Sequence, residues 1–308
     1  MTSNFTGTMS AAQGNDVGPL SPTDPIRVIR IRSDRRSAII DGLLSALAKT
    51  GVVLVSLFFV APVLIVLITS FNSTNISFPP QEWSLDAYFN ISDLAIRAFL
   101  TSLALGFLCV FISALISIPA GLALARGRIP GRSAIETVLR SPLQLPPIVL
   151  GLALMQYFIL WRDVLSLNLM GSFAGLLFSH VLIVTPYMLA AIIARVSSIR
   201  PQLEEAAAGL GARSWLIMFR ISVPLLRPGV IAGMFLGFVM SFEDVAVSIF
   251  LVGANTNTFP VYLFGSAQVS NEPALYAVAT LGTVIAVLIA LVVERFVGLR
   301  TVLSKSQF

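Results

Sequence analysis

An all-α, polytopic membrane protein with six transmembrane helices is the fold class the sequence predicts, and three observations predict it. Apolar residues make up 56% of the chain and charged residues 11%, whereas soluble domains carry roughly a quarter charged. The apolar residues arrive in long blocks rather than in the short periodic stripes of a soluble core. The basic residues gather in alternate connections between those blocks. Lipid is therefore the solvent against which the chain has to be read.

A helix rises about 1.5 Å per residue through a hydrocarbon core about 30 Å thick, so a span takes about 20 mainly apolar residues. Stretches 51–69, 98–125, 142–161, 173–193, 229–253 and 276–296 meet that length. Barrel strands would be about ten residues long with alternating polarity, which none of these runs shows. Ahead of them, 1–40 is an expected disordered tail, rich in Gly, Ser, Asn, Asp and Pro, that turns basic at Arg27, Arg30, Arg32, Arg35 and Arg36. The first apolar run starts too far from Met1, is too long and lacks a small-x-small cleavage site, so it reads as an uncleaved span. The six-span domain is placed at 41–298, with a long connection at 195–227, and 299–308 is a second tail. Between the first two spans, Pro79, Pro80, Trp83 and Tyr88 suit an interfacial segment. The glycosylation-type triplets at Asn72, Asn75 and Asn90 arise readily by chance and carry no weight.

The chain has 20 Lys and Arg against 15 Asp and Glu, a surplus that could point to nucleic acid or to a membrane surface. Placement decides. One side of the membrane takes the N-terminal basic cluster with Lys49, then Arg126, Arg128, Arg132 and Arg140, then Arg195, Arg200, Arg213, Arg220 and Arg227, and last Arg295, Arg300 and Lys305. Only Arg97 and Arg162 fall on the other. By the positive-inside rule both termini are cytoplasmic, and no nucleic-acid partner is implied. Cys109, the single cysteine, lies in an apolar run and reads as a small buried residue that cannot form an intramolecular disulfide.

The connection between the fourth and fifth spans holds Leu203, Ala207, Leu210, Trp215, Met218 and Ile221 at near-helical spacing, with charged residues between them. Gly209 and Gly211 interrupt the pattern and Pro224 stops it, which predicts two short helices joined by a glycine bend. Periodicity alone describes an amphipathic segment resting on headgroups. The spacing Glu205-Ala206-Ala207, three residues, Gly211, nine residues, Ile221-x-Val223-Pro224 resembles the EAA signature of permease subunits of binding-protein-dependent, type I ABC importers, with Val223 where Leu is usual. The runs IPAGLALARGRIPGR from Ile118, PLQLPPIVLGLAL from Pro142 and SFEDVAVSIFLVG from Ser241 are similar to the same permeases, the last to the spermidine/putrescine branch. The likeness covers roughly 51–298.

That resemblance implies the ABC importer permease fold in a bacterial cytoplasmic (inner) membrane. It also implies a second permease subunit, identical or different, two ABC ATPase subunits and an external substrate-binding protein. It places Glu204, Glu205, Ala206, Ala207 and Gly211 at a coupling helix that docks on the ATPase, with Ile221 and Pro224 fixing the return to the membrane. The residue types suit docking, since small side chains permit close approach, glycine permits the bend, and a carboxylate can pair across an interface. No cofactor is expected on this chain. A P-loop needs Gly-Lys-Ser/Thr, and Lys49 and Lys305 do not follow glycine, so ATP and Mg belong to a partner and the chain is no enzyme.

Ionisable groups inside spans are costly unless they line a cavity or are paired. Glu243 and Asp244, beside Ser241 and Phe242, fall in the outer half of the fifth span, and His180 lies about 10 Å into the fourth from its outer end. These five are the candidates for the substrate pathway or gate. His180 serves equally as a helix-to-helix hydrogen bonder. The acids, of which at most one faces the pathway squarely, serve equally in packing or in attracting a cation. One His and one Cys on different spans fall short of a zinc site. Polyamines are the favoured cargo, with other small cations, thiamine-like compounds, opines and ferric iron still open. An ion-coupled secondary transporter would show paired halves broken by Gly and Pro, and an intramembrane hydrolase a nucleophile beside a base; the sequence shows neither.

Overall fold

The computed structural model describes residues 35–73, 76–127, 129–269 and 272–297. Residues 1–34 and 298–308, and with them the expected tails and Arg27, Arg30, Arg32, Arg300 and Lys305, lie outside the described residues, as do Asn75 and Arg128.

The chain divides into two units, Met1–Phe59 and Val60–Phe308. The first contributes most of helix α1 (Arg35–Thr69), and its Leu54, Phe58 and Phe59 are exposed, as lipid-facing side chains are. In the second unit come α2 (Asp86–Phe89), α3 (Asp93–Arg126), α4 (Arg132–Arg140), a 3-10 turn at Ser141–Gln144, α5 (Pro147–Leu165) and α6 (Phe173–Ser198). They are followed by α7 (Gln202–Gly209), α8 (Ser214–Ile217), a π turn at Met218–Ser222, α9 (Val223–Phe242), a 3-10 turn at Ser248–Phe250, α10 (Phe259–Val269) and α11 (Pro273–Val297). Among the described residues no β-strand forms.

Five helical stretches are long and apolar enough to cross a bilayer: Gly42–Thr69, Asp93–Arg126, Pro147–Leu165, Phe173–Ser198 and Ser214–Phe242. The sixth expected span corresponds to α11, whose apolar stretch Pro273–Ile289 is shorter. Three boundaries differ from the sequence reading. The third span starts at Pro147 rather than at 142, because Pro146 sits in extended backbone with ψ 131° and cannot continue a helix. The fifth ends at Phe242 rather than at 253. Pro224 does not stop a helix: it lies at the start of α9, directly after the π turn at Met218–Ser222, and the helical run continues through it.

The centre of the second unit is a triad of α3, α6 and α9. Ser92 caps α3 by accepting from Ala95 N (3.2 Å), and Ser172 caps α6 by accepting from Gly175 N (3.1 Å), each satisfying an amide the first turn leaves orphaned. Helix α9 lies against α6 along Gly229, Gly233 and Gly237. A Cβ on these would stand 2.5 Å from Arg195 Cβ, 2.7 Å from Met188 Sδ and 2.5 Å from Val184 Cγ1. The order of those contacts makes α9 antiparallel to α6. Gly121 of α3, whose Cβ would meet Ile192 Cγ2 at 2.6 Å, places the late turns of α3 beside the late turns of α6, so these two run parallel. Small residues at four-residue spacing are how membrane helices approach closely when lipid is as apolar as leucine. Cys109, Val184, Met188 and Ile192 are wholly buried in this seam, and Arg195 Nε donates to Leu225 O (3.0 Å) at one end of it.

Gly237→Ala forces a methyl against Val184, a β-branched side chain with little rotamer freedom. We expect a loss of about 1–3 kcal/mol, read as a lowered midpoint of thermal unfolding in detergent.

Candidate functional site

At Phe242 the helix ends inside the unit, and Glu243 is its C-cap, its N–H bonded to Val239 O (3.0 Å). The two acids are therefore not successive residues of a continuous helix, as the sequence reading had them, but stand at a break. Asp244 organises the turn that follows. Its Oδ1 accepts from Val247 N (3.3 Å), and its Oδ2 accepts from Ser248 N and Ser248 Oγ, both at 2.8 Å. This is the cap of the Ser248–Phe250 turn. Val247 and Leu251 then bury their side chains with Leu105, Leu154, Phe158 and Leu176, so α3, α5 and α6 hold the turn in place.

His180 completes the arrangement. Its ring is wholly buried, with Nδ1 2.8 Å from Ser241 Oγ and Nε2 3.0 Å from Ser248 Oγ. Ser248 Oγ–H donates to Asp244 Oδ2, so its oxygen is free to accept from His180 Nε2–H. In the neutral ring Nδ1 is then the acceptor for the Ser241 hydroxyl. The chain of donors runs from Ser241 through His180 and Ser248 to Asp244 and joins both sides of the break to α6.

A cavity of about 490 Å³ lies beside the break, with Pro147, Ile183, Tyr187, Met240, Glu243 and Asp244 among its lining. Glu243 is exposed there and, among the described residues, its side chain makes no hydrogen bond or ion pair. His180 and Ser241 are buried behind the wall, and Phe242 lines a different cavity with Phe259. Of the five candidates, then, Glu243 and Asp244 reach the cavity, while Ser241 and His180 brace the turn that presents them. Among the described residues no basic side chain lines the cavity. Within the described residues no cluster of three or more His, Cys, Asp or Glu is placed to hold a metal.

The second candidate region lies at the other end of α9. Helix α7 ends in a Schellman motif: Ala212 N donates to Ala207 O (3.1 Å), Gly211 N donates to Ala208 O (2.9 Å), and Gly211 adopts φ +86°. Such a closure calls for glycine, because a side chain makes the left-handed conformation costly. Glu205, Ala206 and Gly211 are exposed, and Ala207, Ile221 and Pro224 half-buried. Glu204 turns the other way. Its Oε1 accepts from Ser222 Oγ (2.9 Å) and its Oε2 lies 3.4 Å from Arg126 Nε. Arg126 Nη2 in turn donates to two carbonyls at the end of α6, Ile199 O (2.6 Å) and Val196 O (3.1 Å), the latter also accepting from Ile199 N. The sequence reading grouped Glu204 with Glu205 and overlooked Arg126 and Ser222. One signal was present, an arginine closing the second span a few residues from the end of an apolar block.

A membrane-spanning bundle with a braced helix break beside a cavity, and a two-helix loop at the other end of the broken helix, has the architecture of an importer permease. Residues 117–300 match the family described as binding-protein-dependent transport system inner membrane component, and the chain belongs to that family. It is 28% identical over 227 residues to the putrescine transport system permease protein PotI of Escherichia coli K12, covering 73% of this chain and 81% of that one. To the spermidine/putrescine permease PotC of Haemophilus influenzae it is 30% identical over 235 residues, with 75% and 88% covered. To the molybdenum transport permease ModB of the same organism it is 31% identical over 190 residues, with 58% and 82% covered. Its fold superposes on a bacterial alginate ABC transporter crystallised with an alginate pentasaccharide-bound periplasmic protein, with TM-score 0.67, 19% identity, and 86% and 96% covered. The chain is thus a multi-pass, non-catalytic permease subunit of a binding-protein-dependent ABC importer of the bacterial inner membrane, whose ATPase is a separate subunit.

His180→Ala leaves the hydroxyls of Ser241 and Ser248 without their shared partner. Interhelical hydrogen bonds in membranes contribute up to about 1–2 kcal/mol, roughly a factor of ten in opening. Cys109, buried in the same seam as the only cysteine, reports it: its labelling by a small maleimide in detergent is expected to rise about tenfold.

Proposed function

We propose that this permease carries a small cationic solute of the polyamine class, and that Glu243 is the group that attracts it. The observation that carries the reading is the Glu243 carboxylate, unpaired among the described residues, on a cavity wall where those residues place no basic side chain. Non-helical backbone persists at membrane depth only where protein buries it or where it lines a watered cavity, and the break at Phe242 meets both conditions. Asp244 spends its oxygens on the turn, so Glu243 alone offers a free carboxylate to a passing ammonium. The spermidine/putrescine relatives agree with this chemistry, and an anionic solute would meet an unpaired carboxylate.

In the working assembly two permease subunits form the pathway above two ATPase subunits, with both termini of this chain cytoplasmic. The chain binds no cofactor, and ATP and Mg are used by the ATPase. Helix α7 docks on that subunit through Glu205, Ala206 and Gly211, the exposed members of the loop, and Ile221 and Pro224 lead the chain back to α9. ATP binding draws the ATPases together, shifts the loop and opens the cavity outward, and hydrolysis resets it.

Uptake of labelled spermidine by the reconstituted complex tests the cargo. Glu243→Gln is expected to reduce it at least about tenfold, equivalent to about 1.4 kcal/mol, while Asp244→Asn acts on thermal stability. Undiminished uptake by Glu243→Gln sinks the cation reading. For docking, Glu205→Lys and Gly211→Val, the latter incompatible with φ +86°, are expected to insert in the membrane but fail to co-purify with the ATPase.

A further inference from the structure

We propose that Arg126, Glu204 and Ser222 form a clasp that makes the docking helix α7 and the adjoining ends of α3, α6 and α9 move as one piece. The inference rests on the coupling role proposed for the loop and gives its two glutamates opposite roles. Successive residues of a helix point about 100° apart. Glu205 faces outward and is exposed, whereas the Glu204 side chain is 22% exposed and turned against Arg126, itself 24% exposed.

The need for such a clasp follows from how α7 is attached. On its far side the chain leaves through Gly209 and Gly211, where an added Cβ would meet nothing within 4 Å and the backbone turns at φ +86°. On its near side it arrives through Arg200 and Pro201, outside any helix. Backbone alone would let α7 swivel between these two joints when pushed. Among the described residues, the Glu204 carboxylate makes the side-chain hydrogen bond and ion pair that join α7 to other elements.

Each partner brings one span. Arg126 is the last residue of α3 and caps α6 through the carbonyls of Val196 and Ile199. Ser222, 4% exposed, is the last residue of the π turn that leads into α9. The Ser222 hydroxyl bond to the Glu204 carboxylate is charge-assisted and so of the stronger kind, Arg126 Nε adds an ion pair at 3.4 Å rather than a hydrogen bond, and partial burial shields both from salt. A guanidinium suits the position because Nη2 serves the two carbonyls while Nε, a separate nitrogen of the same rigid plane, faces the carboxylate, a spread that the single ammonium of a lysine does not offer. Arg126 and Ser222 are thus positioning residues for transport, acting through Glu204 and remote from the solute.

The test uses the complete complex and ATP as the probe, so it does not depend on the solute. A reporter cysteine, Val245→Cys, is placed on the cavity wall, and its maleimide labelling is compared with and without ATP trapped by vanadate. The parent is expected to change its labelling rate by at least about fivefold. Glu204→Gln, which keeps an acceptor for Ser222 but loses the charge, and Ser222→Ala, the mildest change, are each expected to assemble normally yet respond less than about twofold. Combining them is expected to do no more than the stronger single change, as for members of one network. A full response in both single variants overturns the clasp alone. So does failure of both to assemble with the ATPase, which makes these residues supports of folding. A parent without any ATP response overturns the ATP-driven reading itself and the clasp with it.

Discussion

Backbone amides that leave a helix inside a bilayer have no water to turn to, and the segment after Phe242 is built around that constraint. Asp244 accepts from the amides of Val247 and Ser248, the 3-10 turn closes on itself, and Gly171 N reaches across to Leu251 O at 3.2 Å. Once those groups are satisfied, the chain can interrupt a span and expose a carboxylate without exposing bare peptide to lipid. The buried His180 and the tight packing of Val247 and Leu251 follow from the same requirement, because a turn of this kind holds its shape only if its surroundings leave it no alternative.

The fold class, the six-span pattern and the importer family were legible in the sequence, because apolar block length and the spacing around Glu205, Gly211 and Pro224 are local properties. The bend at Gly211 could be read for the same reason. The end of the fifth span could not. The residues from Val245 to Val252 are almost wholly apolar, so hydropathy extends the span to Gly253. The helix stops instead because Asp244 offers the amides of Val247 and Ser248 a better acceptor than the helix does. Pro224 misled in the other direction: as a stop signal it is ambiguous, since a proline is also at home in a first turn.

The two glutamates of the loop show the same limit on a finer scale. Adjacent in sequence and identical in chemistry, Glu204 and Glu205 differ in what lies within reach. That is set by Arg126, 78 residues earlier in the numbering of the chain, and by Ser222 beyond the bend. No pattern of spacing within the loop reports that difference. His180 is comparable: its place in a span was plain, but its partners Ser241 and Ser248 lie on either side of a break that hydropathy did not show.

The glycine face of α9 leaves a question of register. Ridges of side chains normally lock one helix lengthwise against another, and Gly229, Gly233 and Gly237 supply none. Lengthwise position is set instead by polar pins at the two ends, Arg195 on Leu225 O and His180 on Ser241 Oγ, about 24 Å apart along the axis by helix rise. Between those pins Leu226 and Phe238 of α9 are buried in one cluster with Val184, Met188 and Ile192 of α6. To slip along its neighbour, a helix held in this way has to release both pins and repack those side chains as well.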